Sequence, residues 1–396
     1  MKVLLVHNFY QSSAPSGEDR VFRDEVALLR KNSIEVVLYE QANDAIKNPL
    51  EAALSVIWSR KTYHEIAALL KKEKPDIAHF HNIWYLISPS AYYACKDAGI
   101  PVVQTLHNFR IFCANGLLLR NEKPCEECVG RTPWRGLLHG CYRDSRFFTA
   151  PVVFAEWFHL MRNTWQTAID AYITLTEFGK KKFIQCGVPE NKIFVKPNFL
   201  SDPPNFLSSP QQYAVFIGRL SKEKGVNILI DALKHLNTFS LKLIGDGPLR
   251  PELEKQVEDK NLAGKIELTG RKSPDECMEL LKRSCCLIMP SVCYENFPIT
   301  IAEAFACGKP VIASNLGAMA SLVNHGKTGL LFEPGNPQDL AEKIRWMMEN
   351  EAACIEMGRN ARTEFENKYT ADRNFDTLIE IYKKTLTANI LRSSKV

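Results

Sequence analysis

Short apolar runs of β type alternate with helical patterns along this chain, stop once, and then begin again. No other feature constrains the fold as strongly. The first series is Val3–Val6, Val36–Tyr39, Ile77–Phe80, Val102–Leu106, Ala171–Leu175 and Ile193–Lys196, with helical stretches such as Glu18–Leu29 and Ile57–Leu70 between the runs. Strands that alternate with helices read as right-handed βαβ units around a parallel sheet. The pattern lapses from Pro197 to Pro210, where Pro203, Pro204, Ser201, Ser208 and Ser209 mark a linker. It restarts with Tyr213–Gly218, Leu241–Gly245, Lys265–Thr269, Cys286–Met289, Pro310–Ser314 and Gly329–Phe332. The expectation is an α/β fold of two similar domains, 1–200 and 201–370, with a ligand cleft between them. A last helix over about 371–396 is expected to pack back on the first domain. With 396 residues, 45% of them hydrophobic, there is apolar material for two cores, and disorder, collagen and coiled coil are excluded.

Helix starts in the second half are well signed. Ser273-Pro274-Asp275-Glu276 is a capping box with proline at the first helical position, and Asn336-Pro337-Gln338-Asp339 is a similar start. Pro298 opens a helix that Gly308 closes.

The formal charge of +5 is too mild for a nucleic-acid binder, but its placement is informative: residues 101–200 carry 13 Lys and Arg against 8 Asp and Glu. Val3–Val6 is shorter than the roughly 7–15 apolar residues of a secretory signal. No run approaches the roughly 18 apolar residues of a membrane span. The chain reads as cytoplasmic, so its 12 cysteines are no disulfide framework. Cys285, Cys286 and Cys307 lie in apolar stretches and read as small core residues.

Three strings carry chemistry. Gly218-Arg219-Leu220-Ser221-Lys222-Glu223-Lys224-Gly225 follows a strand and opens the helical stretch Val226–Leu236. A helix N-terminus offers free N–H groups and partial positive charge, Arg219 and Lys224 flank it, and the combination suits a phosphate. Gly245-Asp246-Gly247-Pro248 has the form of a ligand loop at the carboxyl edge of a parallel sheet. Glu295-Asn296-Phe297-Pro298 leads into a helix bearing Glu303, so one carboxylate sits in the loop before the helix and the other in its second turn. Such carboxylates can accept hydrogen bonds from sugar hydroxyls and from a ribose diol.

The string from Glu295 through Glu303 to Ala306-Cys307-Gly308-Lys309-Pro310-Val311-Ile312 strongly resembles the retaining glycosyltransferases of family 4. So do Gly218–Gly225, Gly245–Pro248 and Gly326-Lys327-Thr328-Gly329-Leu330. In the first half, Pro75–Asn82, Thr105-Leu106-His107-Asn108 and Ile173–Phe178 match as well. The resemblance covers nearly the whole chain in order. It implies the GT-B fold, two Rossmann-like domains facing each other across a cleft. It implies that Arg219 and Lys224 bind the donor diphosphate, Glu303 the ribose, and Glu295 the donor sugar, with Asn296, Phe297 and Pro298 alongside. Gly218 and Gly247 would line the donor loops, Arg271 would sit beside the base, and His107 near the donor sugar and acceptor. Gly17-Glu18 matches the family's glycine loop for a phosphate or acceptor, with Ser16 where the first glycine usually stands. Ser321 stands where the family often has a glutamate.

The resemblance also implies retention. Glycosyl transfer passes through an oxocarbenium-like state while the leaving diphosphate gains charge. The sequence holds no Asp-x-Asp for a metal, so Arg219, Lys224 and the helix end would offset that charge, with no catalytic cofactor. The donor is expected to be a nucleotide-diphosphate sugar, and the acceptor a glycan or lipid-linked molecule in cell-surface polysaccharide or glycolipid synthesis. Another GT-B activity (a sugar-nucleotide epimerase or a disaccharide phosphorylase) and a non-catalytic two-lobed sugar binder are the alternatives. A diphosphate clamp argues against the binder. A Rossmann dehydrogenase is disfavoured because no Gly-x-Gly-x-x-Gly follows the first strand.

Cys113, Cys125, Cys128 and Cys141 are spaced for a structural zinc with four thiolate ligands, in a segment poor in apolar residues. The aromatic stretch after them, Phe147, Phe148, Phe154, Trp157, Phe158, Met161 and Trp165, reads mostly as helix core beside a solvated charged face. The basic balance of residues 101–200 is expected to draw a phosphorylated or membrane-bound acceptor, with peripheral contact at the inner face of the membrane.

Overall fold

The computed structural model describes residues 1–12, 16–46, 49–204, 213–236 and 239–393. The chain divides into two compact units. One holds Met1–Leu118, Glu126–Asn198 and Ala371–Val396, and the other Leu119–Cys125 and Phe199–Thr370. The linker expectation falls partly on residues 205–212, outside the described residues.

In chain order the first unit runs β1 (Lys2–Phe9), α1 (Gly17–Lys31), β2 (Glu35–Ala42), α2 (Pro49–Ile57), α3 (Arg60–Glu73), β3 (Ile77–Phe80), α4 (Ser90–Asp97) and β4 (Val102–Leu106). The hairpin β5 (Leu119–Arg120) and β6 (Lys123–Pro124) comes next and groups with the second unit. The first unit resumes with α5 (Trp134–His139), α6 (Arg146–Met161), α7 (Thr164–Thr167), β7 (Ala171–Thr174), α8 (Glu177–Gln185) and β8 (Ile193–Val195). Its strands pair in parallel in the order β2-β1-β3-β4-β7-β8. β1, β3, β4 and β7 are buried almost throughout, as central parallel strands covered on both faces must be. The expected helix over 57–70 is α3 from Arg60 on, and Ile57 is the last residue of α2. The chain breaks at Trp58, and Ser59 caps α3 by accepting from Thr62 N at 3.2 Å.

The second unit runs β9 (Tyr213–Ile217), α9 (Val226–Leu233), β10 (Ser240–Ile244), α10 (Arg250–Asp259), β11 (Ile266–Gly270), α11 (Pro274–Arg283) and β12 (Cys286–Met289). It continues with α12 (Ile299–Ala306), β13 (Val311–Ser314), α13 (Gly317–Leu322), β14 (Gly329–Phe332), α14 (Pro337–Glu349) and α15 (Glu351–Lys368). The strand order is β11-β10-β9-β12-β13-β14, all parallel. Ser273 forms the expected capping box on α11, and Asn336 caps α14 through Gln338 N and Asp339 N. Phe216, Leu229, Leu243, Ile288 and Ile344 meet in this unit's core, and Cys286 and Cys307 are buried as small core residues. The last helix, α16 (Ala371–Ser393), seats Leu378, Ile381 and Tyr382 on Val3, Leu5, Ile77 and Val103 of the first sheet.

Candidate functional site

In the second unit β9 is flanked by β10 on one side and β12 on the other, so chain direction across the sheet reverses at β9/β12. Ligands of open parallel sheets bind beyond the carboxyl ends of the strands at such a reversal. The loops that follow β9 and β12 carry the two strongest motifs. Lys224 ends a 3-10 turn (Lys222–Lys224), and Glu295 lies in the loop after β12. Lys224 Nζ donates to Glu295 Oε1 at 2.6 Å, and Ser291 Oγ donates to the same oxygen at 2.9 Å. Burial works against the Lys224 ammonium, but the Glu295 carboxylate outweighs it and the lysine pKa is raised. Lys224 therefore stays cationic through neutral pH.

The close approach of these loops needs glycine. Gly225 has φ +68°, and a Cβ there would lie 1.9 Å from Pro290 O. Gly247 lies where a Cβ would meet Leu220 O at 2.4 Å, because Leu220 N donates to Asp246 O and Leu249 N to Leu220 O, each at 3.0 Å. Gly218 N joins the same set by donating to Ile244 O. No side chain caps α9 among the described residues, so its first N–H groups remain available beside exposed Arg219. Glu303 is buried in the second turn of α12, and Phe297 is buried edge-on against Tyr369 at 5.6 Å. Asn296 and Pro298 complete that loop, and Arg271 follows β11 on the surface. Ser321 turns its hydroxyl back to Ala318 O at 2.8 Å, which satisfies it within α13.

His107, Gly17 and Glu18 belong to the first unit. His107 follows β4 and is half-buried. Its Nε2 lies 2.9 Å from His81 Nδ1, and His81 Nε2 lies 3.0 Å from Glu25 Oε1. Lys196 Nζ donates to Glu25 Oε2 at 2.9 Å and to Asn374 Oδ1 at 3.1 Å. Burial opposes ionisation of Glu25, but Lys196, then His81 and His79, hold its pKa well below the usual carboxylate range. Burial pushes His81 down to about 4, partly offset by Glu25, and burial with His81 and His7 nearby lowers His107 well below its ordinary value. Glu25, His79 and His81 bring ligand-type atoms within 4.8 Å of one another. Hydrogen bonds already fill that set, since His79 reaches Tyr382 Oη and Thr105 Oγ1, each at 2.7 Å, and an added cation would meet Lys196.

Gly17 opens α1 under the cap of Ser16, whose Oγ accepts from Glu18 N at 3.3 Å while Asp19 accepts from Ser16 N at 3.0 Å. Glu18 is buried beside Tyr10 and Arg110, and burial raises its pKa. The helix end is thus already capped and carries two carboxyls, which suits a hydroxyl better than a phosphate. Cys113 is buried, and burial, then Glu156, pushes its thiol up to about 12. Cys128 lines a cavity of about 340 Å³ with Glu156 and Cys186. Cys141 packs against Ala114, Val152 and Val153, and Cys125 ends the segment grouped with the second unit.

The aromatic stretch corrects an expectation. Phe147, Phe148, Phe154 and Met161 are exposed, at 73%, 43%, 41% and 65%. The inward face of α6 is instead Thr149, Val152, Val153, Glu156 and His159. Apolar residues occur all round this helix, so composition could not tell its inner from its outer face. Glu25, His81 and Lys196 were not singled out from sequence. Glu25 offers one signal, a carboxylate on the apolar stripe Phe22, Val26 and Leu29 of α1.

The two six-stranded parallel sheets, and ligand loops at the reversal of one of them, define a protein of two Rossmann-like units. Residues 20–202 match the family described as Glycosyltransferase Family 4, and residues 201–364 the one described as Glycosyl transferases group 1. An uncharacterised glycosyltransferase of Methanocaldococcus jannaschii is 36% identical over 314 residues, 78% of this chain and 83% of that protein. The D-rhamnosyltransferase WbpZ of Pseudomonas aeruginosa is 33% identical over 162 residues, 40% of this chain and 42% of that one. Anabaena HepE, solved with UDP, shares the fold at a TM-score of 0.69 and 20% identity, over 97% of this chain and 100% of that one. The chain belongs to glycosyltransferase family 4, and its fold is GT-B. Among the described residues no helix is long and apolar enough to cross a membrane.

Proposed function

We propose that this glycosyltransferase moves a hexosyl-type sugar from a nucleotide-diphosphate sugar, with retention and without a catalytic metal. The observation that carries the reading is the Lys224–Glu295 pair at the β9/β12 reversal, beside the uncapped start of α9. The diphosphate would draw on Arg219, Lys224 and the free N–H groups of α9 as charge develops on the leaving group. Glu295, relieved of Lys224, would accept from donor-sugar hydroxyls, and Glu303 from the ribose. Gly218, Gly247, Arg271, Asn296, Phe297 and Pro298 would line the donor, and His107 would contact a hydroxyl at the transfer site. In a front-face transfer the leaving phosphate takes the acceptor proton. This account needs no enzymic nucleophile. HepE was solved with UDP, which supports a nucleotide donor. A nucleotide-sugar panel read by thermal shift and by donor hydrolysis tests this. Lys224→Ala and Glu303→Ala should abolish turnover while the proteins melt as folded chains, and wild-type activity in both sinks the site.

The proposed acceptor is a glycan or lipid-linked molecule of cell-surface polysaccharide or glycolipid synthesis, met at the inner face of a membrane. Exposed Phe147, Phe154 and Met161 recur at seven-residue intervals on α6, beside exposed Arg143 and Arg146, a pairing suited to an anionic lipid surface. Hydroxyls of the acceptor would meet Gly17 and Glu18. Co-sedimentation with anionic but not neutral vesicles is expected, and equal recovery with both counts against it. Cys113, Cys125, Cys128 and Cys141 are proposed to hold a structural zinc, which would cross-link a segment with little core.

A further inference from the structure

We propose that Glu25 is a positioning residue that sets the tautomer of His107 through His81, leaving Nδ1 of His107 as a hydrogen-bond acceptor for a substrate hydroxyl. The proposal rests on the reading of His107 as a substrate contact. Its own content is the proton order along Lys196, Glu25, His81 and His107, all within the first unit.

The order follows from donors and acceptors alone. An ammonium only donates, so Lys196 at 2.9 Å fixes Glu25 Oε2 as an acceptor and favours the ionised carboxylate. An ionised carboxylate only accepts, so His81 Nε2, 3.0 Å from Oε1, carries the hydrogen. A neutral imidazole has one donor nitrogen and one acceptor nitrogen, so His81 Nδ1 is bare. His107 Nε2, 2.9 Å away, must then donate, and Nδ1 keeps its lone pair. Among the described residues no protein group bonds that nitrogen. A doubly protonated His81 would reverse the order, and burial acts against that form.

The groups around the relay hold it in place. His79 Nδ1 lies 3.1 Å from Glu25 Oε1 and 2.7 Å from Tyr382 Oη, and its Nε2 lies 2.7 Å from Thr105 Oγ1. His7 stacks on Phe22 with its Nε2 on Asp19 at 2.9 Å, so its ring hydrogen is committed elsewhere. Asn374 of α16 accepts from Lys196 and donates to Pro197 O at 2.6 Å. The His81 and His107 rings are stacked at 5.2 Å and 22°. His107 is held by its bond to His81, and Glu25 decides through that one intervening ring which nitrogen of His107 is protonated.

Long-range proton–nitrogen NMR on the full-length chain with labelled histidine tests this directly, with His107→Ala used to assign the ring. Wild type at pH about 7.5 should show His107 protonated at Nε2 with a bare, pyridine-type Nδ1. The opposite tautomer overturns the proposal without any variant. In Glu25→Gln, Lys196 still demands an oxygen, so the amide NH₂ should face His81 and invert both rings. Donor-hydrolysis kcat should then fall on the order of 10- to 100-fold, the cost of leaving a buried polar group mismatched, with KM nearly unchanged. Glu25→Asp, which keeps the carboxylate, should restore the tautomer and most of kcat. Equal losses in both variants with unaltered tautomers would mean a structural role only and overturn the assignment. Wild-type turnover in His107→Ala would remove the substrate role of His107, while the wild-type spectrum still judges the relay.

Discussion

Gly225→Ala puts the β9/β12 reversal under the most direct stress. Gly225 has φ +68°, a conformation that costs an L-residue roughly 1–2 kcal/mol. The added Cβ would lie 1.9 Å from Pro290 O and 2.8 Å from its carbonyl carbon, where real contacts essentially never fall below 3.0 Å. Both obstacles are backbone, so the loops after β9 and β12 must part by about an ångström. Overpacking of this kind costs about 1–3 kcal/mol more. The combined loss of about 2–5 kcal/mol should lower Tm by on the order of 5–10 °C. The Lys224–Glu295 bond of 2.6 Å spans the same two loops and would stretch beyond hydrogen-bond reach. A displacement of about 1 Å at a reacting site can cost about 100-fold in rate. Thermal melts followed by circular dichroism, together with nucleotide release from the donor sugar, measure both effects. Gly264→Ala is the control, since its Cβ would meet nothing within 4 Å. A Gly225→Ala protein with the melting temperature and turnover of wild type would refute the close-approach argument.

Acid should weaken the first unit. His81 titrates near 4 when folded against 6.5 when unfolded, so the unfolded chain takes up its proton first. Stability is full above about 6.5 and lost as pH falls toward 4, by about 3 kcal/mol from His81 alone. Glu25, held below the carboxylate range, loses its own contribution at still lower pH. Urea midpoints should decline across that window, and a flat profile from pH 7 to 4.5 contradicts the buried neutral histidine. Glu156 predicts the opposite sign. Among the described residues neither of its buried carboxyl oxygens has a hydrogen-bond partner, and burial raises its pKa well above 4.5. Its contribution is intact below 4.5 and is lost as pH rises toward the folded value, so Glu156→Gln should raise Tm by a few degrees at pH 8 and hardly at pH 4.5. An equal effect at both would show that charge is not the cause. Metal analysis of the purified protein should find near-unit zinc, and Cys128→Ser should lose it; zinc-free wild type ends that proposal.

Much of the fold was legible in both units because its signals are local. Strand runs such as Ile77–Phe80 and Cys286–Met289 coincide with the observed elements, since buried parallel strands read as continuous apolar stretches. The Ser273 cap and the break at Pro298 depend on a few adjacent residues. The start of α3 came three residues later than expected, because Ser59 caps a helix without interrupting the apolar rhythm. The outward face of α6 was missed because that helix is apolar all round. In the candidate site, Lys224 and Glu295 were found as separate motif members, but nothing local says that they touch.

The alternation of strands and helices, broken once by prolines, was enough to determine two α/β units, and the motif strings were enough to determine the family. Both are properties of neighbours in the chain. The tertiary structure alone decided that Lys224 meets Glu295 from 71 positions away, and that Lys196, 171 positions from Glu25, fixes its charge and through it the hydrogen of His81. Hydrogen-bond order passes from group to group in space over about 3 Å per step. No spacing along the chain can reveal it until the sheets have brought those residues together.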